Sequence, residues 1–174
     1  MTRARDVFTL GWPILVGQIA VLGNGVIDTV MAGQRSAEDL AVIGLGAAIY
    51  ISVFVAFRGV LMGLTPIAAG HFGAGRLSEI GDDVGQAAWV ALILAAIGIP
   101  LLWWSEPWLG LTQPDPGLHR PLTEYLQLIA LAMPSTLLYS VFFTLNSATS
   151  RPAVTMAINL VMLTAKWPLN LVFM

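Results

Sequence analysis

Phe8-Thr9-Leu10-Gly11-Trp12-Pro13-Ile14-Leu15-Val16-Gly17-Gln18-Ile19-Ala20-Val21-Leu22-Gly23-Asn24-Gly25-Val26-Ile27-Asp28-Thr29-Val30-Met31-Ala32 reads as one apolar helix that carries a single ionisable side chain, Asp28. About 30 Å of hydrocarbon takes roughly 20 residues at ~1.5 Å each, so the run is long enough to cross a bilayer. Placing a carboxylate at that depth costs roughly 2.5–3.5 kcal/mol on insertion scales. Such a residue faces a bundle interior or water, and it is a functional-site candidate by default.

Working outward, four more apolar runs follow at 40–69, 84–104, 122–145 and 153–174, separated by polar, Gly and Pro clusters. The chain is 57% hydrophobic and 10% charged, against about 45–50% and about 25% in soluble domains. That leaves too little polar surface to cover a water-soluble globule. The alternating apolar and polar ten-residue strands of a membrane barrel are absent from the sequence. The expected fold is all-α, a polytopic transmembrane bundle of about five spanning helices. The first run is too long for a signal-peptide core and lacks a small-residue cleavage pattern, so it reads as a retained helix. The second run is long enough that its end, near Pro66, is expected to bend or to follow the membrane surface before Gly70.

Composition also closes off several chemistries. The chain has no cysteine and only two histidines, His71 and His119, which lie in apparent loops far apart in sequence, so no metal site is legible. A formal charge of −2, evenly spread, gives no nucleic-acid footprint. No phosphate loop, nucleophile with His and acid partners, or pair of intramembrane aspartates is present, and the chain is read as a non-enzyme without cofactor. A membrane-embedded lipid-modifying enzyme would need polar groups clustered at one interface, and the segment around His119 and Arg120 is too sparse. With the N-terminus in the cytoplasm, Arg3, Arg5, Arg76 and Arg151 fall inside, and Arg35 and Arg120 outside. Trp103, Trp104 and Trp108 then mark the outer interface. The last run ends on Leu171-Val172-Phe173-Met174 with no polar exit, and the chain is read as a piece of a longer protein.

The polar residues inside the runs form stripes. Asn24 and Asp28, four apart, share a helix face, with Gln18 about 80° round. Asn159, Lys166 and Asn170 form a second stripe, and Thr136, Ser140 and Thr144 a third. Stripes facing one another would line a hydrated cavity; alternatively they tie helices together through hydrogen bonds worth about 0.6 kcal/mol each. Gly59 and Gly63 read as a small-residue packing pair. Arg58, deep in the second run, is another intramembrane charge. It could pair with Asp28, meet backbone carbonyls or face the cavity.

The strings Gly11-Trp12-Pro13-Ile14-Leu15-Val16-Gly17-Gln18-Ile19 and Val26-Ile27-Asp28-Thr29-Val30-Met31-Ala32-Gly33 resemble the first helix of the multidrug and toxic compound extrusion (MATE) transporters. Leu40-Ala41-Val42-Ile43-Gly44-Leu45-Gly46, Gly63-Leu64-Thr65-Pro66 and Gly70-His71-Phe72-Gly73-Ala74-Gly75-Arg76 are similar to that family's second helix and following loop. Ser150-Arg151-Pro152 and Pro168-Leu169-Asn170 are similar to its fourth loop and fifth helix. The resemblance covers essentially the whole chain, in order. It implies about twelve helices in two lobes that rock between inward-open and outward-open states, of which this chain supplies part of the N-terminal lobe. It also implies exchange of protons or sodium ions for organic cations across the bacterial inner membrane, in contact with lipid and with a C-terminal lobe beyond this chain. The isolated 174 residues are expected not to transport.

On that resemblance Asp28 and Asn170 bind the cation or proton, and Lys166, Asn24 and Gln18 are their neighbours. Thr136, Ser140, Thr144, Asn159 and Arg58 are cavity-lining candidates, and Pro13 and Pro168 are hinge candidates. Lys166 departs from the family pattern, in which that position is more usually Asn. A fixed ammonium there repels sodium and favours a proton as coupling ion. Lys166 either forms an exchangeable pair with Asp28 or snorkels to an interface. A lipid-linked precursor flippase of the same superfamily, with Arg58 and Lys166 receiving a phosphate headgroup, and a non-transporting membrane scaffold are the alternative readings.

Overall fold

A computed structural model describes the backbone of residues 2–149 and 152–173, with side chains at residue 8 and over 11–149 and 153–166. The helices are α1 (Thr2–Arg35), α2 (Ala37–Leu61), α3 (Leu64–Gly73), α4 (Leu77–Trp103), α5 (Glu106–Thr112), α6 (His119–Leu131), α7 (Met133–Ala148) and α8 (Pro152–Phe173), with a 3₁₀ turn at Pro116–Leu118 before α6. No strand occurs among the described residues. Gly11–Arg35, Ala37–Gly73 and Leu77–Trp103 are each long and apolar enough to cross a membrane. The segments Pro116–Leu131 and Met133–Ala148, bent by 47°, qualify together, and Ala153–Lys166 is a shorter apolar helix. The protein is an all-α polytopic membrane bundle.

Local chemistry explains where the helices start and break. Ser36 caps α2: its side chain accepts from the Asp39 amide at 2.9 Å, and Glu38 and Asp39 fill the positive first turn. The second apolar run breaks at Met62 and Gly63, upstream of Pro66. Proline has no N–H to give the carbonyl four residues back, so the Met62 carbonyl accepts from the Thr65 amide at 3.0 Å instead. The fourth run bends at Ala132, two residues before Pro134, which has no N–H to give the Ala130 carbonyl; there the Ala132 amide donates to the Ile129 carbonyl at 3.1 Å. Pro13 lies inside α1, which stays continuous through it.

The apolar core is built by α2, α3, α4, α6 and α7. Leu102, Leu122, Leu126, Met133 and Leu137 are fully buried there, packed with Ile49, Val53, Ala91 and Ala95. Two glycines admit a neighbour that a Cβ would displace: the Tyr125 ring lies over Gly46, and Phe57 would sit 2.7 Å from a Cβ at Gly98. Gly59 faces open space and Gly63 meets the Val60 carbonyl at the break, so neither forms the helix-packing contact expected of them. Outward-facing Leu, Ile, Val and Phe along every long helix are what a lipid-facing surface requires. Exposed Trp103 and Trp104 sit at the end of α4, and Trp108 Nε1 donates to the Leu101 carbonyl at 2.8 Å.

His71 is not in a loop but in the last turn of α3, and His119 begins α6. The His71 ring bridges α3 to α4, with Nδ1 at 2.8 Å from Asp83 Oδ2 and Nε2 at 3.2 Å from Glu79 Oε2. Arg76 Nη1 reaches the same Glu79 oxygen at 3.2 Å. α1 and α8 stand apart from this core as a pair, packed mainly on each other, with α1 touching α2 and α8 touching α7. That pair holds the polar residues of interest.

Candidate functional site

α1 and α8 approach along small residues. Gly17 faces Asn159 and Met156, and Gly23 faces Leu163, at distances where an added Cβ would make ordinary contact. This close seam lets side chains from one helix reach the backbone of the other. Asn159 Nδ2 donates to the Gly17 carbonyl at 3.4 Å, and Lys166 Nζ donates to the Asn24 carbonyl at 3.2 Å.

The ammonium of Lys166 also lies 2.6 Å from Asp28 Oδ2. The side chains are 26% and 44% exposed, so the pair is sheltered but not sealed. Its position follows from helix geometry. Asn24 and Asp28 are one turn apart on α1, and a lysine opposite them spans both with one head group. A charge-assisted hydrogen bond of this length is stronger than a neutral one, and each ion meets the other's need for a partner at membrane depth.

Beside the pair opens a groove of about 520 Å³ lined by Val21, Asn24, Tyr139, Asn159, Met162, Ala165 and Lys166. Tyr139, on α7, donates to Asn159 Oδ1 at 2.6 Å and stacks at a tilt on Phe142, with centroids 6.3 Å apart. Sequence reasoning missed Tyr139. The signal was its place one residue before Ser140, beside a stripe already singled out by its polar residues.

The structure thus brings Asp28, Lys166, Asn24 and Asn159 together on the α1–α8 seam. Gln18 lines a smaller cavity that shares Asn159 with the groove. The fourth-run stripe is used for helix contacts. Thr136 Oγ1 lies 2.8 Å from the Tyr50 hydroxyl of α2, Ser140 donates to the Thr136 carbonyl at 3.0 Å, and Ser140 and Thr144 are buried. Arg58 stacks on the Phe143 ring, 5.1 Å from guanidinium carbon to ring centroid. Pro168 and Asn170 have side chains outside the described residues. Among the described residues no His, Cys, Asp and Glu group has the arrangement of a metal centre.

An all-helical bundle with lipid-facing sides, a paired intramembrane charge and an adjoining groove defines an integral membrane protein with a polar site between its helices. The chain belongs to the MatE family, a family of membrane transporters, whose model matches residues 13–172. It is similar to the "Probable multidrug resistance protein NorM" of Neisseria meningitidis serogroup B, 32% identical over 177 residues that cover 99% of this chain and 38% of the relative. It is also similar to the multidrug resistance protein PmpM of Pseudomonas aeruginosa, 38% identical over 157 residues that cover 88% of this chain and 33% of the relative. The MdtK multidrug resistance protein of Pectobacterium atrosepticum is 30% identical over 174 residues, covering 99% of this chain. The chain spans 33–38% of the length of these relatives. Transporter kinship fits the absence of a legible catalytic constellation in the sequence.

Proposed function

We propose that this chain forms the cation-handling part of the N-terminal lobe of a multidrug exporter in the bacterial inner membrane, with its N-terminus in the cytoplasm. Asp28 is the acceptor, and a proton is its coupling ion in preference to sodium. The observation that carries this reading is the Lys166 ammonium, 2.6 Å from Asp28 and also held by the Asn24 carbonyl. Sodium needs a cage of neutral and anionic oxygens; here one carboxylate oxygen and one backbone carbonyl are already engaged by a fixed positive charge. A proton can neutralise Asp28 without needing such a cage, and Lys166 is then released toward the groove.

In this scheme Lys166 is a tethered stand-in for the transported cation. An organic cation entering the groove competes with it for Asp28, and protonation of Asp28 ejects either one. Tyr139 and Asn159 supply an aromatic face and an amide to the same groove, which suits a flat organic cation. The second lobe supplies the opposite wall and the rocking motion.

The test is made in the full-length protein, expressed in a drug-sensitive bacterium. Asp28→Asn is expected to abolish resistance to cationic drugs with unchanged membrane expression, and full resistance in that variant overturns the site. In proteoliposomes an imposed pH gradient is expected to drive efflux and a sodium gradient alone is not; sodium-driven efflux at constant pH overturns the choice of ion.

A further inference from the structure

At the end of the α1–α8 seam away from Asp28, a small cavity lies between α1, α7 and α8. Its polar wall is made by Gln18, Ser147, Thr155 and Asn159, with Pro13 and Phe143 closing it on apolar sides. Thr155 is 4% exposed, and its Oγ1 is the buried side-chain polar atom left without a hydrogen-bond partner among the described residues. A buried hydroxyl in that state costs free energy, and native structures relieve it most often with an ordered water.

We propose that this cavity is a binding site for one ordered water molecule. Three features of the site point to water. The first is its volume of about 10 Å³, which is about the room one water needs. The second is the inventory of partners. Asn159 Oδ1 is taken by the Tyr139 hydroxyl and one Nδ2 hydrogen by the Gly17 carbonyl, which leaves the second Nδ2 hydrogen to give. Ser147 spends its hydrogen on the Phe143 carbonyl at 2.9 Å and keeps lone pairs to accept. A water can therefore accept from Thr155 and Asn159 and donate to Ser147 and the Gln18 carboxamide, which completes a tetrahedral set.

The third feature is charge. No carboxylate lines the cavity, and the guanidinium of Arg58 lies against Phe143 in its wall. A positive charge beside a neutral cage favours a neutral guest over a metal cation. The water ties Thr155 and Asn159, one helical turn apart on α8, to α1 and α7. It thereby fixes the wet end of the seam whose other end carries Lys166. This inference does not rest on the transport reading.

A crystal structure of the full-length protein, at a resolution where waters are visible, tests it. Wild type is expected to show one peak within about 2.6–3.2 Å of Thr155 Oγ1, Thr155→Ser is expected to keep it, and Thr155→Val is expected to lose it. Absence of the peak in wild type, or its persistence in Thr155→Val with unchanged occupancy, overturns the assignment. An anomalous peak there after a rubidium soak also overturns it, because the guest is then a cation. If Thr155→Val fails to fold, wild type, Thr155→Ser and the soak still decide the question.

Discussion

On the proposed transport reading, removing the Lys166 ammonium should make the full-length protein bind organic cations more tightly and release them less readily. At the observed 2.6 Å, the gross attraction between Lys166 and Asp28 is ~6 kcal/mol for an effective dielectric of about 20. With 26% and 44% of the side chains exposed, water screens part of this. Holding a long lysine chain in one rotamer removes more. Exposed pairs are worth about 0–1 kcal/mol, and breaking buried ones costs about 3–5 kcal/mol, which places this pair at about 1–3 kcal/mol. If an organic cation must displace Lys166 to reach Asp28, Lys166→Met relieves it of that competition. At 1.4 kcal/mol per tenfold, the Kd for a cationic dye should fall roughly 5- to 150-fold. Fluorescence polarisation with purified full-length protein measures this directly, with Asp28→Asn as the control that loses binding. An unchanged or weaker affinity in Lys166→Met, with the control behaving as stated, refutes the competitor role of the lysine.

Tyr139→Phe removes the 2.6 Å bond to Asn159 without altering the ring, and thermal denaturation in detergent should register a loss of about 0.5–1.5 kcal/mol. Gly46→Val puts a side chain where the Tyr125 ring lies, so the melting temperature should drop by the equivalent of about 1–3 kcal/mol. Gly44, with nothing within 4 Å of an added Cβ, is the comparison site, and equal losses at the two positions would contradict the packing described. His71→Ala removes the ring that touches both Glu79 and Asp83, so amide exchange over residues 71–76 should accelerate while α6 is unaffected. Uniform acceleration across the bundle would show that His71 supports the whole fold and not this turn.

Much of the fold was legible because a bilayer imposes simple rules. Apolar runs of sufficient length must be helices, since every backbone polar group needs an internal partner. The two breaks show where that legibility thinned. Pro66 was visible as a bend, but it acts on the carbonyl four residues back, so the chain gives way at Met62–Gly63, and the break of the fourth run at Ala132, two residues before Pro134, was not foreseen. The polar stripe of the fourth run could equally line a cavity or bind a neighbour. Only packing shows Thr136 against Tyr50 and Ser140 turned back on its own helix.

The sequence by itself determined that the chain is helical and made for a bilayer, and it singled out Asp28 as a candidate, because the energy of an ionised group in hydrocarbon depends on the residue and its apolar neighbours in the chain. Whether Lys166 snorkels or meets that carboxylate depends on how two helices are set side by side, and their charges lie 138 positions apart. Tertiary structure alone decided that. The small residues of the α1–α8 seam let the backbones approach, which brings Lys166 within reach of Asp28 and the Asn24 carbonyl and leaves Tyr139 and Asn159 facing the groove.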